Sequence, residues 1–267
     1  FAAPPAAVDL NFNGYIDKVY IADLAGQMWV FDISSSDIAG WSGKRLFRPP
    51  GAPSEKHPVY YPPAVAVDNS RTPWVYFGTG DREDPTDKNT KERFYAVKDD
   101  GIGPYPRDED NLRDVTTFTD RTFTIPQEPL KGWYIKLAKS EKVLAKPAVF
   151  SNLLYFTTYT YPSPDVCTKT GKASLYTVEY LSGGGALVLD DYLQGKPSTR
   201  SEIIGEGIPS TPVISVKLEE KVSMIVEGKT TWVTYGRTSA SVTIGTTEDK
   251  ILTKVGFSPS TSKEILY

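Results

Sequence analysis

Short runs of β-branched and aromatic residues recur along this chain in a fixed order, and that order limits the fold more than any other feature. Pro5-Ala6-Ala7-Val8, Pro63-Ala64-Val65-Ala66-Val67, Pro147-Ala148-Val149-Phe150 and Pro212-Val213-Ile214-Ser215-Val216 each place a proline ahead of an aliphatic run. A pair of further runs follows each of the first three. These are Val19-Tyr20-Ile21 with Trp29-Val30-Phe31, Val75-Tyr76-Phe77 with Tyr95-Ala96-Val97, and Leu154-Tyr155-Phe156 with Tyr176-Thr177-Val178. Runs of this composition bounded by turn residues are strands, and proline is tolerated at a strand's first residue. The unit is therefore a meander of three or four strands, repeated about four times.

No stretch of a dozen residues carries a 3.6-residue apolar period, so helix is a minor component. With 267 residues, 12% aromatic content and 21 each of glycine and proline, the chain can bury a large all-β core. Repeated four-stranded meanders, lengthened by loop insertions, predict a modified β-propeller of antiparallel blades over residues 1–267, with a β-sandwich as the structural alternative. Four blades are few for a closed ring, and Phe1-Ala2-Ala3-Pro4-Pro5 has neither an initiator methionine nor a basic signal region. The expectation is a part of a larger propeller. Thr231-Trp232-Val233-Thr234-Tyr235 and Ser241-Val242-Thr243-Ile244 alternate as further strands within 230–267, which either close a blade or offer an edge to a partner chain.

Between the first two strand runs lies Asp9-Leu10-Asn11-Phe12-Asn13-Gly14-Tyr15-Ile16-Asp17. Its pattern, D-x-N-x-N-G-x-x-D, sets side-chain oxygens at loop positions 1, 3, 5 and 9, glycine at the sharp turn and a main-chain carbonyl at position 7. A hard cation that takes only oxygen ligands needs such a set, so Asp9, Asn11, Asn13, Asp17 and the Tyr15 carbonyl are candidate Ca²⁺ ligands. Tyr20 stands where an EF-hand has its bidentate glutamate, and the β-branched sequence after Asp17 makes a strand instead of a helix. The same residue types also form ordinary turns that bind nothing.

A net charge of −3 without any lysine or arginine cluster argues against nucleic acid, and no apolar run approaches the about 18 residues of a membrane span. Cys167, the one cysteine, has no partner within the chain. His57, the one histidine, sits in the proline-rich stretch Pro53-Ser54-Glu55-Lys56-His57-Pro58, read as an exposed loop residue, and leaves no second histidine for a zinc site. Gly228-Lys229-Thr230 lacks the preceding glycine of a phosphate-binding loop, since Ser223 stands there, and reads as a hairpin turn.

The succession from Asp9 to Asp17, through Lys18-Val19-Tyr20-Ile21-Ala22-Asp23-Leu24-Ala25-Gly26-Gln27-Met28-Trp29-Val30-Phe31-Asp32, Val75 to Glu83 and Tyr155 to Tyr159, resembles the C-terminal domain of PilY-type biogenesis factors and tip-associated adhesins of bacterial type IV pili. The resemblance runs from about residue 5 to about 216. It implies a modified propeller on a secreted, pilus-associated surface protein that acts in pilus assembly, retraction control, adhesion and twitching motility. It also implies calcium in the loop at 9–17, and pilus tip or minor pilin subunits and a host or surface receptor as partners. Two other classes remain open. Gly26 to Asp32 is similar to the Gly-x-x-Trp-x-Phe pattern of quinoprotein-like dehydrogenase blades, although Trp29 reads first as blade core. Tyr60, Tyr61, Tyr159 and Tyr161 could serve a carbohydrate-binding propeller.

Overall fold

The structure, a computed structural model, describes residues 1–51, 57–118, 130–162, 170–186, 199–217, 221–226, 229–234, 239–244 and 251–256. It is built of antiparallel sheets in chain order, with two single-turn 3-10 segments at Ile38–Gly40 and Glu109–Asn111 as the helical elements among these residues. In the first sheet β1 (Ala6–Val8), β2 (Lys18–Ala22), β3 (Met28–Asp32) and β4 (Ser42–Phe47) follow one another as a plain meander. In the second, β5 (Ala64–Val67), β6 (Pro73–Gly78), β7 (Arg93–Lys98), β8 (Arg113–Asp114) and β9 (Gly132–Lys136) run in the order β5-β6-β7-β9-β8, and only β8 is parallel to its neighbour.

The third sheet contains β10 (Glu141–Lys142), β11 (Ala148–Phe150), β12 (Leu153–Thr160), β13 (Lys172–Glu179) and β14 (Ser201–Glu206), with β10 and β11 both pairing with β12. After it come β15 (Val213–Lys217), β16 (Lys221–Val226), β17 (Lys229–Thr234), β18 (Ser239–Ile244) and β19 (Ile251–Gly256). Here the simple meander fails. β15 pairs with β18, and β16 and β17 form a separate hairpin between them. The turn expected at Gly228 falls within that hairpin, although Gly228 itself, like Cys167, lies outside the described residues.

Face-to-face packing follows from the two-residue period of a strand. In β6, Val75 and Phe77 point into a cluster with Tyr20, Met28, Val30 and Phe47 of the first sheet, whereas Trp74 and Tyr76 join Leu154, Phe156 and Val178 of the third. The opposite face of the third sheet repeats the pattern, with Leu153, Tyr155 and Leu175 against Ile244 of β18. In sheets covered on both faces, every residue of β6 and of β12 except the last is buried. Edge strands of successive sheets also meet, β1 against β5, β5 against β11 and β11 against β15. Four successive sheets, each turned face-on to the next with one edge strand of each in contact with that of its neighbour, have the blade arrangement of a β-propeller.

Candidate metal centre

The loop at 9–17 joins β1 to β2 on the first blade. Its ends are tied together by the main chain, with Asp17 N donating to Val8 O at 2.9 Å and Ile33 N to Asp17 O at 2.8 Å. From one end the Asp9 carboxylate accepts Gly14 N at 2.7 Å and Asn13 N at 3.3 Å. At the other, Asp17 is buried, and its carboxylate accepts Leu10 N at 2.7 Å, Asn11 N at 3.3 Å and Asn11 Nδ2 at 3.1 Å. Asn11 Oδ1 accepts Asn13 N at 3.0 Å and Asn13 Oδ1 accepts Tyr15 N at 2.9 Å, two successive Asx turns. Gly14 supplies the sharp bend with φ of +90°.

All five candidate residues thus share one small loop. Two carboxylates, two amide oxygens and a main-chain carbonyl form a donor set of oxygen alone, which suits calcium and does not suit zinc. The N–H groups they accept leave further lone pairs on these oxygens. Among the described residues no group of three or more His, Cys, Asp or Glu side chains gathers to hold a metal; two of the four side-chain donors in this loop are asparagines.

Directly after Asp17, Lys18 turns toward the second blade. Its Nζ lies 2.7 Å from Asp99 Oδ2, in a carboxylate with no side-chain exposure. Asp99 also accepts the Tyr20 hydroxyl at 2.9 Å, and burial, followed by this neighbouring carboxylate, pushes the Tyr20 phenol far above its ordinary range. Next along the chain, Asp100 accepts Lys131 Nζ at 2.7 Å and Arg107 Nη2 at 2.5 Å. Arg107 is completely buried, and its guanidinium lies 5.0 Å from the centre of the Tyr105 ring, while Lys44 Nζ lies 3.8 Å from it. This charged junction between blades one and two has no motif, because its members come from four separate segments.

Three expectations are corrected. His57 is buried, with Nδ1 3.5 Å from Glu92 Oε2, because the 57–60 segment lies across the β2–β3 turn: Val59 N donates to Asp23 O and Gly80 N to Pro58 O. Trp29 is only half-buried; it lies on the side of β3 away from the core, where its Nε1 donates to Asp23 Oδ2 at 3.0 Å. Of the four tyrosines considered for sugar stacking, Tyr159 is buried, leaving Tyr60, Tyr61 and Tyr161 partly accessible.

Among the described residues no helix is long and apolar enough to cross a membrane. No protein-family model matches the chain. One solved structure, an exo-1,5-alpha-L-arabinanase from a bovine ruminal metagenomic library, aligns over 96% of this chain and 77% of its own, at 10% identity and a TM-score of 0.36, a likeness too low to add to the topology above. In sequence, the chain is 26% identical over 209 residues, 68% of its length, to a type IV pilus biogenesis factor PilY1 homolog of Xylella fastidiosa (strain Temecula1 / ATCC 700964). A second protein of that name from the same organism is 26% identical over 188 residues, 64% of the chain. The chain is thus similar to two proteins named as PilY1-type pilus biogenesis factors, and it spans only 14 to 15% of their lengths.

Proposed function

We propose that this chain is a calcium-binding, non-catalytic propeller segment of a type IV pilus protein at the bacterial cell surface, acting in pilus biogenesis, retraction control and adhesion. The observation that carries the reading is its likeness to two proteins named for pilus biogenesis. Calcium is supported by the oxygen-only donor set of Asp9, Asn11, Asn13, Tyr15 and Asp17. A bound cation would neutralise two carboxylates and fix a loop whose ordering costs entropy. Lys18 would then relate that order to the junction with the second blade through Asp99. Pilus tip or minor pilin subunits, and a host or surface receptor, are the partners this reading assigns.

Titration of Ca²⁺ into chelator-treated protein by calorimetry, with Asp17→Ala in parallel, tests the ion. One binding event in the wild type, absent from the variant, supports the site, and saturation at a hundredfold excess over Kd should stabilise the fold by about 2.7 kcal/mol. No heat and no change in unfolding temperature would remove calcium from the proposal. For the pilus role, deletion in the source bacterium should reduce surface piliation and twitching; normal pili in the deletion strain would sink it.

A further inference from the structure

The loop contains the chain's single Asn-Gly step, Asn13-Gly14. Both residues are exposed, Gly14 has φ of +90°, and no heavy atom lies within 4 Å of where a Cβ would stand. The Asn13 carboxamide is held by Tyr15 N, which donates to its Oδ1 at 2.9 Å, and Gly14 N is oriented by its bond to Asp9 Oδ2 at 2.7 Å. Among the described residues nothing accepts a hydrogen bond from Asn13 Nδ2. Nucleophile, electrophile and leaving group are therefore adjacent in an ordered, solvent-open turn without a side chain at the attacking residue.

We propose that Asn13 is a site of spontaneous deamidation. The Gly14 amide nitrogen attacks Asn13 Cγ and gives its proton to solvent hydroxide as the N–C bond forms. Negative charge develops on Oδ1, where the Tyr15 N–H already donates. Collapse breaks the Cγ–Nδ2 bond, and the nitrogen leaves as ammonia after taking a proton from water. Water then opens the resulting succinimide. Cleavage of the new Cγ–N bond gives aspartate at position 13, and cleavage of the original main-chain bond gives isoaspartate; both steps need only water and hydroxide.

The consequence rests on the calcium reading. Aspartate would add a third carboxylate among the proposed ligands and tighten binding, whereas isoaspartate lengthens the main chain by one methylene and carries Gly14 and Tyr15 out of register. A cation shared by Asn13 Oδ1 and the other proposed ligands holds the carboxamide and the Gly14 main chain against the rotation that brings Gly14 N onto Cγ. This restraint, acting against the cation's polarisation of the carbonyl, slows the ion-bound loop. Ageing then divides the protein into populations with different ion responses.

The test is peptide mapping by mass spectrometry after incubation in mildly alkaline buffer, with chelator or with saturating calcium, beside Asn13→Gln and Gly14→Ala. In chelator the peptide spanning Asn13 should gain one mass unit about tenfold faster than peptides with Asn11, Asn69 or Asn111, whose neighbours carry side chains. Calcium should slow it several-fold, and both variants should suppress it. Gly14→Ala strains the turn, so Asn13→Gln serves as the control that keeps the backbone. Conversion at Asn13 no faster than at the other asparagines overturns the proposal. Fast conversion that ignores calcium, in a protein shown by calorimetry to bind it, overturns the coupling; absence of that binding overturns the calcium reading while the modification stands.

Discussion

Trp74 Nε1 donates to Asp68 Oδ2 at 3.2 Å, and the same six-residue step brings Trp29 Nε1 to Asp23 Oδ2 at 3.0 Å. In each turn the aspartate's other oxygen accepts two main-chain N–H groups, from Ala25 and Gln27 or from Ser70 and Thr72. Each also has one left-handed residue, Gly26 at φ of 80° and Arg71 at φ of 59°. The two turns join different strand pairs, β2 to β3 and β5 to β6. A local hydrogen-bonding solution has been used twice at places that the blade repeat does not equate.

Arg71 occupies a conformation that costs a residue with a side chain about 1–2 kcal/mol, partly offset by the chain entropy that glycine loses. Arg71→Gly is expected to raise stability by up to about 1 kcal/mol in urea unfolding. Gly26→Ala should do the opposite and more strongly, because a Cβ there would lie 2.5 Å from His57 O.

Lys18→Met leaves the Asp99 carboxylate buried without its cation. Breaking one side of such a pair costs about 3–5 kcal/mol, whereas removing both charges costs much less. A double-mutant cycle with Asp99→Asn, read by denaturant midpoints, should therefore give a strong coupling. Additive losses would show that the junction does not depend on the ion pair.

Blades two and three are joined by stacked rings. Phe94 of β7 and Phe156 of β12 have centroids 3.8 Å apart, and Tyr176 also stacks on Phe156, at 4.6 Å. Phe156→Ala is expected to cost about 3–5 kcal/mol and to lower the unfolding temperature of both blades together. Fluorescence from Trp133, in the same cluster, reports the second blade, and hydrogen exchange in β13 reports the third.

Acid should destabilise the protein through Asp100. Burial works against its ionisation, but Lys131, the Ile102 N–H and Arg107 outweigh it and hold the carboxyl below the usual range. A lowered folded value means that the contribution is complete above the ordinary carboxylate pKa of about 4 and is lost as pH falls through the folded value. Asp100→Asn should flatten the acid side of the stability profile while lowering the plateau at neutral pH. An unchanged acid limb would assign acid unfolding to other groups.

At alkaline pH the sign reverses. Burial pushes the Tyr155 phenol up to about 12, so its stabilising share is complete below about 10 and disappears as pH rises through the folded value. Tyr155→Phe is expected to delay alkaline unfolding, followed by circular dichroism against phenolate absorbance.

The sequence made legible three consecutive strands in each of the first three sheets and the turn chemistry of the 9–17 loop. Each of these depends on residues close together in the chain: proline ahead of a strand, apolar runs between turn residues, and oxygen-bearing side chains at fixed steps around Gly14. It did not reveal that β15 passes over β16 and β17 to pair with β18, since strand pairing across an inserted hairpin has no local signal. Nor did it place Asp99, Arg107 and His57 in buried positions. Charged residues are ordinarily exposed; Asp99 is buried here against Lys18 from the first blade, Arg107 against the nearby Asp100 and the main chain of Leu46 and Arg48, and His57 beside Glu92. Tertiary structure decided those pairings because the cost of burying a polar group depends on what it meets.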